Sequence, residues 1–264
     1  MSDSKALMPN LGELELQLVA KDDARFVRMV RLSDIATGKF AMPFGHPWFA
    51  LDYYKNHNSS ADHSTEAYKT LVSQLEVVYQ LSCSRNHRLM AKGNTVLAQH
   101  PGKKLFVLPE AIDLDNLRAQ ALALGVDPSK YLDETTDEDD LAQCANDWNL
   151  NQNLVCGKAA DNVQIITDLD GIDWLVLIVR QFGPGRSQLA WAGGFVDKDE
   201  TFKAAALREK DEETEVSVSG AGNTTFDITT TELASVRKSD WDPRAKFVEG
   251  MEVGAVVTHY RFRC

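Results

Sequence analysis

Between Gly193 and Val216 the chain reads GGFVDKDETFKAAALREKDEETEV, a Gly-Gly turn followed by what reads as one helix with a heavy load of negative charge. At about 100° per residue, Glu213 lies roughly 40° round from Glu209, and Glu212 roughly 60° the other way. Three carboxylates therefore fan over about 100° of one helical face. That arrangement works against the helix. Like charges at i,i+4 cost a few tenths of a kcal/mol, and negative charge in the last turn opposes the helix dipole. Hard divalent cations supply a reason, because magnesium prefers oxygen ligands and commonly combines a few carboxylates with substrate phosphate oxygens. Glu200 and Arg208 are eight residues apart, close to two turns, and an ion pair through a bent helix start would orient the carboxylates. Asp197 with Glu200 also fits a capping box, which keeps a structural role open for Glu200. The competing reading of the whole stretch is a solvated surface helix.

The bulk numbers narrow the partners. A chain of 264 residues is long enough for one large domain or two small ones with an ample core. Its formal net charge of -11 argues against nucleic acid and anionic membrane as broad electrostatic partners, yet permits an acidic pocket that meets phosphate through metal ions. Cys83, Cys144, Cys156 and Cys264 form no C-x-x-C pair and no metal-ligand spacing. No apolar run reaches the length of a membrane span, and the start, MSDSKALMPNLGELELQ, lacks a signal-peptide pattern. A cytoplasmic protein with free thiols is the expectation. The sequence leaves room for a homodimer.

Two kinds of material follow one another. The amino-terminal region, residues 1–140, predicts strands over 14–20 and 26–30 and an aromatic patch over 44–54 that suits a core. It also predicts a helix from Thr65 to Met90 with Ala67, Leu71, Leu75, Val78 and Leu81 on one face, a short strand over 105–109, and a helix over 113–125 ended by Gly125. This region closes on the acidic run DETTDEDD, residues 133–140, read as a solvated linker. From 150 to 264 strand signals dominate. VQIITDL and WLVLIVRQF flank the turn DGID as a hairpin, then come the loop GPGRSQ, the charged helix, and further strands in TTFDITT and GAVVTHYRF. Strands on both sides of one helix predict an α+β or α/β sandwich.

The spacing around the charged helix resembles the box of the Nudix hydrolases, G-x5-E-x7-R-E-U-x-E-E-x-G-U with U a bulky aliphatic. Gly194, Glu200, Arg208, Glu209, Glu212 and Glu213 fall in register, and Val216 fills the last aliphatic place. Lys210 departs from the pattern where an aliphatic residue packs the helix on the sheet, and Glu215 replaces the glycine that ends it. A lysine can bury its stem and snorkel its amine, and loss of the left-handed cap is expected to cost about 1 kcal/mol. The fold class the resemblance implies is α+β, a Nudix-type α/β/α sandwich with a mixed sheet, preceded by a mixed α/β amino-terminal region. The family's fold continues past a strand like the one ending at RFRC. The expectation is therefore either a fragment lacking a last strand and helix, or an amino-terminal region that supplies the cover.

The resemblance also implies a small-molecule nucleotide substrate whose pyrophosphate bond is cleaved with Mg2+ or Mn2+. Segments 158–167 and 242–260 look like those flanking the box in ADP-ribose pyrophosphatases, through Ala159, Ala160, Asp161, Asp242, Pro243, Arg244, Met251, Glu252, Ala255 and Val256. Metal binding is expected at Glu209, Glu212 and Glu213, with Gly194 beside them and Arg208 in the catalytic set. Glu252 is the first choice for a further ligand or base, and Glu249 the second. Arg180 and Arg244 suit bidentate phosphate contacts. Trp191 and Phe195 are weighed as base or ribose contacts against core packing. A second reading is a weakly catalytic domain that senses ADP-ribose; a third is an interaction protein with an acidic surface helix.

Overall fold

In the computed structural model the described residues are 14–19, 26–43, 46–102, 105, 108, 111–133, 158–181, 186–220, 225–233 and 252–263. Their strands are β1 (Leu14–Val19), β2 (Val27–Arg31), β3 (Lys158–Thr167), β4 (Asp173–Val179), β5 (Leu189–Ala190), β6 (Ala192–Phe195), β7 (Glu215–Gly220), β8 (Thr225–Leu233) and β9 (Glu252–Arg263). The α-helices are α1 (Leu32–Ala36), α2 (Pro47–Asp52), which runs on into a π-helical turn at Tyr53–His57, α3 (Glu66–Leu97), α4 (Leu114–Ala123), α5 (Ser129–Leu132) and α6 (Phe202–Glu213).

Alternation along the strands decides the architecture. Successive side chains of a strand point to opposite faces, and β3 is buried over almost its whole length. Val163 and Ile165 belong to a large apolar cluster with Ile35, Phe49, Leu75, Tyr79 and Cys83 from the amino-terminal helices. Ala160, one step out of phase, packs with Ala205, Ala206 and Phe202 of α6. Strand β9 repeats the division, with Val253, Ala255 and Val257 on the first face and Val256 on the second. One sheet thus has helices on both sides, a mixed α/β sandwich. Its path runs β2-β4-β3-β9-β8, with β5 beside β4 and β6 beside β3. Only β3 and β9 pair in parallel among the described strands of this sheet.

Residues on either side of the acidic run share that sheet and that cluster. Strand β2 pairs antiparallel with β4 from Val27↔Ile178 to Arg31↔Trp174, and β1 pairs with β7. A polar chain ties the same layers: the Tyr54 hydroxyl donates to Asp173, Thr167 Oγ1 donates to Asp173 Oδ1 at 2.6 Å, and His259 Nε2 lies 2.6 Å from Thr167 Oγ1. The amino-terminal region therefore does more than precede the sandwich. It supplies strand and cover.

Most local expectations hold. Helix α3 is capped by Thr65, whose side chain accepts from Tyr68 N, and runs past the expected end at Met90 to Leu97. Leu75, Val78 and Leu81 of the predicted face are fully buried, while Ala67 is exposed. The aromatic patch is core, with Phe49, Tyr53 and Tyr54 buried. Gly125 ends the α4 turn at φ 70°, a left-handed backbone that favours glycine. The strand expected over 105–109 is absent at Leu105 and Leu108, its two described residues, which are exposed and unpaired with any described strand. An apolar run becomes strand only where a partner edge receives it. Residues 134–140 of the acidic run lie outside the described residues.

Leu75 bridges α3 to the sheet at zero exposure, so Leu75→Ala should cost about 2–5 kcal/mol. Urea unfolding followed by far-UV dichroism and by tryptophan fluorescence should shift to lower urea in one shared transition. Two separate transitions, only one of them shifted, would contradict a shared core.

Candidate functional site

Helix α6 starts four residues later than a capping box with Asp197 as its N-cap would place it. Thr201 is the N-cap, accepting from Ala204 N at 3.1 Å. Glu200 therefore lies ahead of the helix rather than on it, which corrects the expected helix-borne pair with a bent start. In that turn Asp197 N donates to Glu200 Oε2 at 3.0 Å, and Glu200 N donates to Asp197 O at 3.1 Å. The turn holds the Glu200 carboxylate beneath Arg208, which donates to it from Nε at 3.2 Å and from Nη2 at 3.1 Å.

Arg208 does not stop there. Its Nη1 donates to Glu209 Oε1 at 2.8 Å and to Glu212 Oε2 at 3.2 Å, and its Nη2 reaches the Phe195 carbonyl at 2.9 Å. A guanidinium presents five N–H donors in a fixed plane, so one side chain can fix several acceptors at set angles. The Arg208 bond, with help from the Asp197 N–H, holds the Glu200 carboxyl below its ordinary pKa, and the carboxylates raise that of Arg208.

The Gly-Gly turn of β6 lies directly under the carboxylates. A Cβ on Gly194 would stand 2.3 Å from Glu209 Oε1, so only glycine admits that carboxylate against the backbone. Gly193 N donates to Glu213 Oε2 at 2.9 Å. Burial pushes the Glu213 carboxyl up to about 7; the charges of Glu209 and Glu212 add to the rise, while the Gly193 N–H and Arg180 oppose it. Glu209, Glu212 and Glu213 thus sit close enough to feel one another. Glu212 is the most open, with 54% of its side chain exposed against 13% for Glu209.

The two departures in the helix have local answers. Lys210 keeps its stem covered, with 18% of the side chain exposed, and places its amine 2.5 Å from Asp211. Its charge is felt by Tyr260 of β9. No left-handed residue closes the helix: Thr214 leaves it extended at φ -139°, and Glu215 begins β7. The cost expected for a missing glycine cap therefore does not arise.

Other expected residues divide. Trp191 is a core residue, 1% exposed, and its indole N–H donates to His46 O at 3.0 Å, the core-packing alternative of the two weighed for it. Phe195 is 49% exposed beside the carboxylates. Arg180 is close enough to Glu213 to lower its pKa. Arg244 and Glu249 lie outside the described residues, as does the Glu252 side chain, while the Glu252 backbone pairs with Lys158 at the edge of the same layer. Sequence reading missed Thr201, legible as a threonine just ahead of a helix. It also missed the Gly193 N–H and His46, for which no local signal exists.

The donor set is hard and oxygen-rich, with more carboxylates than Arg208 alone balances. That fits a divalent cation. Among the described residues no three carboxylate, histidine or cysteine groups already converge as a metal site; Arg208 holds Glu209 and Glu212, and Gly193 holds Glu213. A cation bound there would take over the neutralising part Arg208 now plays toward Glu209 and Glu212.

Glu213 has a consequence for stability. Its folded pKa lies above the ordinary 4.5, so the folded chain keeps a proton that the unfolded chain has lost. The stabilisation is full below about pH 4.5 and lost as pH rises through about 7. Metal-free protein should lose stability across that window. Glu213→Gln should flatten the dependence and be more stable at pH 8 by about 1–3 kcal/mol. Parallel wild-type and variant curves from urea unfolding between pH 5 and 8 would contradict it.

Comparison with known proteins bears on the same segment. Among solved structures the chain matches the crystal structure of a bifunctional NMN adenylyltransferase/ADP ribose pyrophosphatase complexed with AMP and Mn ion from Francisella tularensis. Identity is 16%, the match covers 81% of this chain and 46% of that one, and the TM-score is 0.24, so the likeness carries no weight for fold or activity. This chain thus spans less than half the length of that protein. No curated protein matches. A family model described as the NUDIX domain matches residues 159–252, from β3 through the Gly-Gly turn and α6 to the start of β9. Over residues 159–252 this chain is therefore similar to the NUDIX domain.

Proposed function

We propose that the chain is a divalent-metal-dependent hydrolase that cleaves the pyrophosphate bond of a nucleoside diphosphate linked to another moiety. The substrate we favour is ADP-ribose or a related nucleotide sugar, with AMP and ribose 5-phosphate as products from ADP-ribose. One observation carries the reading: Glu209 and Glu213 lie against the Gly193–Gly194 turn, and one arginine ties Glu209 and Glu212 to Glu200 and the Phe195 carbonyl. The NUDIX match supports it. Preference for ADP-ribose rests on flanking segments, and the Ala159-Ala160-Asp161 part of β3 pairs with Gly193, Gly194 and Phe195 of β6.

Each residue has a part. Glu209, Glu212 and Glu213 would hold Mg2+ or Mn2+, with Gly194 giving Glu209 its room. When bound, the ions supply charge neutralisation at the diphosphate and a water of lowered pKa. In the reaction, water forms a bond to one phosphorus as the bond from that phosphorus to the bridging oxygen breaks, and each product leaves with its own phosphate. The proton released by that water goes to a carboxylate. Glu252 is the first candidate and Glu249 the second. Arg208 keeps Glu209 and Glu212 in place, and Arg180 and Arg244 would meet phosphate oxygens. The exposed Phe195 ring would meet the base or ribose.

A sensor that binds ADP-ribose without turning it over is the second reading, favoured by the grip of Arg208 on Glu209 and Glu212. Incubation with ADP-ribose and Mg2+ should yield AMP and ribose 5-phosphate, and Glu212→Gln should lower kcat about a hundredfold. Arg208→Lys, which keeps the charge and loses the fork, should lower activity about 10–100-fold. Tight binding without products would support the sensor; neither binding nor turnover across ADP-ribose, NADH and other nucleotide sugars would overturn both.

A further inference from the structure

A buried polar relay ends α6 where this chain lacks the usual glycine. Gln164, at the centre of β3 and fully buried, donates from Nε2 to Thr214 Oγ1 at 2.7 Å. Thr214, 1% exposed, passes that bond on: its Oγ1 donates to Lys210 O at 3.1 Å, and its backbone N–H donates to the same carbonyl at 2.7 Å. A last-turn carbonyl of the helix is thus tied through one hydroxyl to the interior of the sheet. The strand that carries Gln164 is flanked by Val176 of β4 and Thr258 of β9, so the anchor point is rigid.

The other end of the same amide is costly. Gln164 Oε1 is buried with no hydrogen-bond donor among the described residues. A desolvated carbonyl without a partner opposes folding, and a leucine would fill that space without it. Stability alone therefore does not explain a glutamine here. Its placement does, because Thr214 directly follows Glu213, whose carboxylate must reach the Gly193 N–H.

We propose that Gln164 is a positioning residue that, through Thr214, fixes the end of α6 and hence the cation-binding carboxylates. Its effect on metal rests on the function proposed above, whereas the clamp on the helix end does not. The test compares full-length wild type with Gln164→Leu, Thr214→Val, the double variant and Thr214→Ser. Backbone amide exchange is read by mass spectrometry on metal-free protein, and Mn2+ affinity by the paramagnetic resonance of the free ion. In Gln164→Leu and Thr214→Val, exchange over Lys210–Thr214 should rise at least tenfold. Mn2+ Kd should rise about 10–100-fold, the range seen when groups that orient metal ligands are removed. The urea midpoint should hold, the double variant should be no worse than either single one, and Thr214→Ser, which keeps the hydroxyl, should stay near wild type. Exchange and affinity within twofold of wild type in both single variants would overturn the proposal. So would exchange rising evenly through the sheet with a lower urea midpoint. If wild type binds no Mn2+, the cation reading fails, and the exchange measurements alone decide the clamp.

Discussion

The guanidinium of Arg208 joins the turn before α6, the helix itself and strand β6, by donating to Glu200, Glu209, Glu212 and the Phe195 carbonyl. Without that junction the acidic face of α6 would be carboxylates repelling one another at the negative end of a helix dipole. With it, two of them have fixed directions, and the third is held by the Gly193 N–H. A lysine could supply the charge but not the planar fork that meets these separate acceptors. The geometry of the site depends on this one side chain more than on any single carboxylate.

Holding the helix is a second matter, and the sheet does it from beneath. Ala205 and Ala206 are small enough to bring α6 close to β3 and β9, and both are fully buried. On the opposite face the amino-terminal helices press Leu75, Tyr79 and Phe49 onto Val163, Ile165 and Val257. Because β3 carries both faces, its alternation aims Val163 and Ile165 at one layer and Ala160 at the other. A slip of one residue would exchange the two sets. The amino-terminal region thus contributes to the site by covering the far face of the sheet that carries α6.

What was legible in the sequence was local or periodic. The spacing Gly194, Glu200, Arg208, Glu209, Glu212, Glu213 placed the helix and its acidic face, the DGID turn gave the β3–β4 hairpin, and the spacing around Leu75 gave α3. Features that depend on distant partners were not legible. Nothing near Val27–Arg31 announces pairing with a strand well over a hundred residues later, and nothing near Trp191 says that its indole will be taken by His46. Glu215 looked like a lost cap because the substitute, an extended Thr214 tied to Gln164, lies partly on another strand. Glu200 was misplaced onto the helix because the N-cap at Thr201 was overlooked.

Of Glu209, Glu212 and Glu213, the first two share one arginine, and the third carries a carboxyl raised to about 7 by burial. The carboxylates gathered around Arg208 are oxygen donors that a hard cation would complete. Crystals soaked in Mn2+ and measured for anomalous scattering address this directly. A peak about 2.0–2.6 Å from oxygens of Glu209, Glu212 or Glu213, with Arg208 Nη1 withdrawn from at least one of them, is the result the arrangement requires. Absence of any such peak at saturating Mn2+, with Arg208 still joined to Glu209 and Glu212, would mean that these carboxylates serve the helix and not a metal.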